Sequence, residues 1–198
     1  MPRSSATTTT RRRLPQRREM ILDAAMRLFR ERGYAATSIN DICAEAGISG
    51  PGIYRHFASK GDVLVAALQP IRQRMRGAPD AGEHQDPLAR LRHLVTSYVD
   101  VALAEGHIIA LWYQEQNALE PEARQDLRDD QRRFVETWVE AFTALRPDLQ
   151  PREARAMIHA VHGLINSVAF HQVRIEHERF RSRLIEMAMG ALVADSTT

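Results

Sequence analysis

Residues 33–64 read Gly33-Tyr-Ala-Ala-Thr-Ser-Ile-Asn-Asp-Ile-Cys-Ala-Glu-Ala-Gly-Ile-Ser-Gly-Pro-Gly-Ile-Tyr-Arg-His-Phe-Ala-Ser-Lys-Gly-Asp-Val-Leu64, and they decide the fold. Ser38, with Asp41 three residues on, makes a capping box that starts a helix burying Ile39, Ile42, Cys43 and Ala46. Gly47 supplies the left-handed residue that ends it. Ile48 fills the corner, and Ser49 caps the next helix with Pro51 in its first turn. Ser59 and Asp62 form a second capping box, for a third helix. Helix, glycine-containing turn, helix is the spacing of the helix-turn-helix, whose second helix enters the major groove of DNA.

The pattern continues on both sides in register: Ala25, Leu28-Phe29, Gly33-Tyr34, Thr37-Ser38-Ile39, Asp41-Ile42-Cys43, Ala46-Gly47-Ile48-Ser49, Tyr54-Arg55-His56-Phe57, Ser59-Lys60 and Leu64. Over Arg17 to Leu68 the chain resembles the DNA-binding domain of the TetR family of transcriptional regulators. The resemblance implies an all-α protein, with an N-terminal helix-turn-helix domain and a C-terminal helical bundle that dimerises and holds a small ligand. It implies that Tyr54, His56 and Lys60 contact the phosphate backbone, which sets register and carries no sequence information directly. Base readout is expected from Gly50–Phe57, supported by the first turn of the preceding helix. Thr37, Ser38, Asn40, Ser49, Gly50, Gly52 and Arg55 are the other expected DNA contacts. Gly50 and Gly52 depart from the larger or hydroxyl-bearing side chains of the family. That shifts readout toward Arg55, Asn40 and close backbone approach.

At 198 residues the chain is long enough to bury a core, in one domain or two small ones. No uninterrupted apolar stretch approaches the ~18 residues of a membrane span, and the first 13 residues lack the apolar core of a secretory signal. One cysteine, Cys43, excludes an intrachain disulfide and suits a reducing cytoplasm. Net charge is only +2, but residues 1–60 hold eleven Lys+Arg against five Asp+Glu. Of the totals of 27 and 25, that leaves sixteen against twenty for the remainder, so a basic N-terminal third is joined to an acidic body. Phosphate attraction confined to one end fits this asymmetry. The single lysine, Lys60, falls where the family pattern places a phosphate-contacting lysine.

Residues 1–14 are low-complexity and basic and are expected to be a disordered tail. Pro15 opens a helix to Arg32 that buries Ile21, Ala24, Ala25, Leu28 and Phe29, and Gly33 stops it. The helix-turn-helix domain is thus 15–60, followed by a connecting helix over 61–76 that begins at Lys60 and a ligand-binding and dimerisation domain over 77–198. Gly77 to Pro87 reads as a loop. Further helices are expected from Asp86 to near Gly106, over His107–Ala118, from Pro121 to Leu145, from Pro151 to Gln172 and from Glu178 to Ala194. There is no strand pattern, and about nine helices result.

In the body, Trp112, Phe134 and Trp138 add aromatic surface to helices that are already apolar, and His162 and Asn166 are polar on a helix that otherwise reads as buried. Apolar walls with a few placed polar groups make the usual small-ligand site, so these five are the expected ligand contacts and a hydrophobic or aromatic ligand is the expected class. His159 and His162 share a helix face at i, i+3, but no carboxylate or cysteine stands beside them to complete a metal site. No cofactor loop, nucleophile elbow or zinc-protease signature occurs, so neither catalysis nor a cofactor is expected. The expected partners are a pseudo-palindromic duplex operator, a second copy of the chain through residues 151–194, and a small-molecule effector, with no membrane. A regulator without an effector, or a ligand-binding helical protein with a vestigial helix-turn-helix, are the alternatives.

Overall fold

The computed structural model describes residues 8–76, 86–171 and 176–194, with the backbone alone described for 8–15. The described residues form nine α-helices: α1 (Thr8–Arg32), α2 (Ile39–Ala46), α3 (Gly50–Ile53), α4 (Lys60–Ala67), α5 (Gln69–Arg76), α6 (Pro87–Glu115), α7 (Pro121–Leu145), α8 (Pro151–Asn166) and α9 (His177–Val193). Short 3₁₀ turns follow α6 (Gln116–Ala118) and α8 (Ser167–Ala169), and no strand occurs among these residues. Contacts divide the chain into two compact units. One runs to Gln69 and includes Glu115–Glu120; the other comprises Pro70–Gln114 and the chain from Pro121 on.

In the N-terminal unit, α1 packs on α2 and α4. Ile21, Ala25, Ile42, Ile53, Val63 and Leu64 are fully buried at its centre, with Phe29 and Phe57 nearly so. Each of the larger of these side chains contributes ~1.5–3 kcal/mol on burial. Cys43 belongs to this core, and burial pushes its thiol pKa up, as for an inert packing residue. α1 starts at Thr8, so residues 8–14, expected in the tail, are helical; residues 1–7 lie outside the described residues. Propagating an existing helix costs far less than nucleating one, and Pro15 already has a helical φ.

The expected connecting helix is two helices. α4 stops at Ala67, Leu68 caps it, and α5 starts at Gln69. Pro70 is the reason, since it has no N–H to donate to the carbonyl of Ala66. The boundary between the two units falls at the same place. Most of the expected loop before α6, residues 77–85, lies outside the described residues.

In the C-terminal unit α7 packs on α8 and α8 on α9. The two helices expected across Gly106 are one, α6, kinked at Glu105 (φ −122°, ψ 21°). A Cβ on Gly106 would stand 3.3 Å from the Cα of Ala169, so glycine is what lets the kinked segment approach the 3₁₀ turn after α8. By length and composition the α6 segment, Pro87–Ala118, is apolar enough to cross a membrane. In the fold its Leu91, Val95, Val99 and Ile109 are buried in the helical body. Four rings form the centre of that body. Tyr98 of α6 lies 5.1 Å from Phe134, 5.9 Å from Trp138 and 5.1 Å from His162 between ring centroids. His162 stacks on Phe134 at 5.3 Å and meets Trp138 edge-on at 4.6 Å.

Candidate DNA interface and effector cavity

The reading head is built by caps. Ser38 Oγ accepts from the Asp41 N–H at 3.1 Å, and the Ser38 N–H donates to Asp41 Oδ2 at 2.8 Å. Hydrogen bonds from the Ser38 side chain, then its backbone, hold the Asp41 carboxyl below its ordinary value. Gly47 (φ 63°) closes α2 in the left-handed region, and the Ile48 N–H returns to the carbonyl of Cys43 at 3.0 Å. At Ser59 half of the second expected box is present, the Asp62 N–H donating to Ser59 Oγ at 3.0 Å.

α3 is one turn long, shorter than the expected Gly50–Phe57, and the His56 and Phe57 N–H groups bond back to the carbonyl of Ile53 at 2.8 and 3.0 Å. Gly50 and Gly52 disfavour a longer helix, while buried Ile53 and Phe57 pin the segment to the core. Ser49 makes no capping bond through its hydroxyl: Pro51 has no N–H, and the Gly52 N–H bonds to the Ser49 carbonyl at 2.8 Å. The Ser49 side chain, with those of Asn40, Tyr54 and Arg55, therefore faces outward; Tyr54 is 59% exposed and has no part in the core. His56 is half-buried, and so are Gly50 and Gly52. Beside Gly52 lies an open recess of about 440 Å³, bordered also by Ser49, Arg55, His56 and Arg17.

Three expected contacts are engaged internally: Ser38, whose hydroxyl is held in the cap with Asp41, and two more. Thr37 is 1% exposed, and its hydroxyl donates to the Gly33 carbonyl at 2.8 Å, so this side chain is withdrawn from any DNA surface. Its burial follows from the tight turn after Gly33 (φ 83°), whose carbonyl needs a partner. Lys60 Nζ donates to the carbonyls of Tyr34 at 2.9 Å and Thr37 at 2.8 Å, and lies 4.2 Å from the centroid of the Tyr34 ring. Two of its three donors thus clamp the α1–α2 loop to the start of α4. The third donor takes no part in this clamp.

In the C-terminal unit a half-open cavity of about 460 Å³ lies between α5 (Ile71, Arg74, Met75), α6 (Leu94, Ser97, Tyr98, Val101) and Phe134 of α7. A smaller chamber of about 70 Å³ shares Ile71, Met75, Tyr98 and Phe134 with it and adds Trp112, His162 and Asn166. Four of the five expected ligand residues therefore surround one chamber. Trp138 does not line it. It is fully buried one helical turn beyond Phe134, behind the His162 ring, and fills core.

Sequence reasoning missed Tyr98 and the whole α5 wall. The available signals were the Pro70 break and the Ile71/Met75 pair at i, i+4, which gives α5 an apolar face of its own. The chamber's polar end is a short relay: Tyr98 Oη donates to Asn166 Oδ1 at 2.8 Å, and Asn166 Nδ2 donates to Tyr113 Oη at 3.1 Å. Burial raises the Tyr98 pKa further above its ordinary value. Burial, and then the nearby His159 charge, push His162 down to about 3, so its imidazole is neutral; neither its Nε2 nor Trp138 Nε1 has a hydrogen-bond partner. Among the described residues no group of three or more His, Cys, Asp or Glu side chains gathers as a metal site.

The model of the bacterial regulatory proteins of the tetR family matches residues 21–67, and that of the tetracyclin repressor-like C-terminal domain matches residues 84–170. The regulator HbdR of Aromatoleum sp. (strain CIB) is 32% identical over 136 residues, which is 65% of this chain and 58% of HbdR. The activator FasR of Mycolicibacterium smegmatis is 32% identical over 120 residues, 56% of this chain and 52% of FasR. The chain thus spans little more than half the length of these curated relatives. A TetR-family regulator from Bordetella parapertussis shares the fold with a TM-score of 0.77 at 21% identity, over 90% of this chain and 95% of its own. The chain belongs to the TetR family of transcriptional regulators, a class of DNA-binding proteins rather than enzymes.

Proposed function

We propose that the chain is a homodimeric repressor that binds a pseudo-palindromic operator and is released by a small hydrophobic or aromatic molecule in the α5–α6 cavity. The observation that carries the proposal is the position of α5. It walls the cavity and follows α4, the last helix of the DNA-binding unit, with only Leu68 between them. Asn40, Ser49, Tyr54 and Arg55 read or grip DNA, His56 and the remaining Lys60 donor hold phosphate, and the glycine recess admits close backbone approach. Two reading heads must sit about one helical turn of DNA (~34 Å) or a multiple apart, so a shift of a few ångströms in α5 suffices to spoil simultaneous docking.

The dimer surface in this proposal is the outward face of α8 and α9. Ala156, Ala160 and Gly163 of α8 and Met187, Gly190 and Ala191 of α9 are exposed, small or apolar, and open to a partner helix. Ile165, on the opposite face of α8, and Leu184, on the buried side of α9, are core residues of the protomer (0% and 2% exposed). The protein acts in the cytoplasm on the cell's own DNA, and the proposal requires no membrane partner. Footprinting on the DNA upstream of its own gene tests it, with a protected pseudo-palindrome expected. Release is then sought with small molecules extracted from the purified protein. Absence of any protected site would refute the DNA-binding role.

A further inference from the structure

α5 presents two faces to the body. Ile71, Arg74 and Met75 line the cavity, while Arg72 and Arg76, one turn apart on the adjacent face, reach α7 and meet on one carboxylate. Asp130 has no exposed side-chain surface. Its Oδ2 accepts from Arg72 Nε at 2.9 Å and its Oδ1 from Arg76 Nε at 2.7 Å, with Arg133 of α7 adding a third guanidinium. Arg72 is itself buried and lies 3.6 Å from Asp126 as well. Burial alone would raise the Asp130 pKa; the hydrogen bonds from Arg76, Arg72 and Arg133 more than reverse this and keep the carboxyl below its ordinary value.

The two chambers of the cavity meet at Ile71, Met75, Tyr98 and Phe134. A molecule larger than the small chamber that reaches from one into the other presses on these four residues, of which Ile71 and Met75 stand on α5. Arg72 and Arg76 are the next residues along the same helix, so the push that opens the cavity pulls their Nε atoms away from Asp130. Hydrogen bonds between ionised groups are short and directional. A displacement of an ångström or two therefore breaks them rather than stretching them.

We propose that Arg72–Asp130–Arg76 is a latch that holds α5 in its ligand-free position, and that its strength sets the effector concentration needed for release. This rests on the α5–α6 cavity being the effector site. Arg72, Arg76 and Asp130 are positioning residues, since they act through α5 and touch neither DNA nor effector. Loosening the latch favours the open state without ligand, so it tightens effector binding and weakens operator binding together, as linkage requires.

The test uses the full chain, Arg76→Met and Asp130→Asn, with the neutral apolar dye N-phenyl-1-naphthylamine as the probe. Arg76 is half exposed (53%), so its loss strands no buried charge and leaves Asp130 bonded to Arg72 and Arg133. Three quantities are read: dye affinity, affinity for the upstream DNA without dye, and amide hydrogen exchange of residues 69–76. Both variants are expected to bind dye at least about fivefold more tightly, to lose operator affinity by a similar factor, and to exchange faster in α5. Ser97→Phe, which fills the cavity, should abolish dye binding. If Asp130→Asn fails to fold, Arg76→Met decides. Unchanged exchange over 69–76 with unchanged dye and operator affinities in Arg76→Met overturns the latch. A wild type that fails to bind its upstream DNA overturns the repressor role instead, and the exchange and dye measurements still judge the latch.

Discussion

His162 gives the body a pH dependence whose size follows from its burial. Its pKa is about 3 in the folded chain, against about 6.5 for an unperturbed imidazole. Between those values the unfolded chain carries a proton that the folded chain does not, so lowering the pH favours unfolding; above about 6.5 both states are neutral and the effect disappears. Going from pH 7.5 to 5.5 should remove about 1.4 kcal/mol of stability through this group alone. His162→Phe isolates it, because a phenyl ring can keep the stack on Phe134 and the edge contact with Trp138 while removing the titrating nitrogens. Urea denaturation of wild type and variant at both pH values, at one fixed protein concentration, gives the comparison. The wild type should lose about 1.4 kcal/mol more than the variant. Equal losses, or a His162 ring that titrates near 6.5 by NMR, would refute the argument.

Lys60→Met should lower the stability of the N-terminal unit by about 2 kcal/mol, because the carbonyls of Tyr34 and Thr37 lose a charged donor. It should also reduce the slope of log operator affinity against log salt by about 1 if the third donor holds a phosphate; an unchanged slope assigns Lys60 to the clamp alone. Trp138→Ala should cost about 3–5 kcal/mol in thermal or chemical denaturation, as loss of a core ring does, and a cost below 1 kcal/mol would show that the site is not packed core. Gly163→Arg or Met187→Arg should give folded monomers by light scattering with much weakened operator binding, whereas dimers of wild-type stability would place the interface elsewhere.

Much of the N-terminal unit was legible because its signals are local. Ser38, Asp41, Gly47 and Pro51 each act on backbone within three or four residues, so type and spacing suffice to set the turns. What Lys60 and Thr37 do was not legible in the same way. Lys60 reaches carbonyls 26 and 23 residues away, and the burial of Thr37 depends on how the loop folds against them. In the body, the 3.6-residue period located the helices, and polar residues on an apolar helix pointed to His162 and Asn166. Periodicity does not say which apolar ring borders empty space and which fills core, and Phe134 and Trp138, four residues apart on one face, differ in just that respect. The Asp130 cluster was hidden among 27 basic residues, since only the tertiary fold brings Arg72 and Arg76 to one carboxylate.

The most direct test of the central claim is fluorescence anisotropy with the DNA upstream of the chain's own gene, wild type against Tyr54→Phe and Arg55→Ala, with the stoichiometry fixed by sedimentation. Two or a multiple of two protomers per pseudo-palindromic site are expected. Tyr54→Phe should weaken binding about equally on all sequences, and Arg55→Ala should flatten the preference between operator and scrambled DNA. A wild type that binds both DNAs alike, or not at all, would contradict the claim.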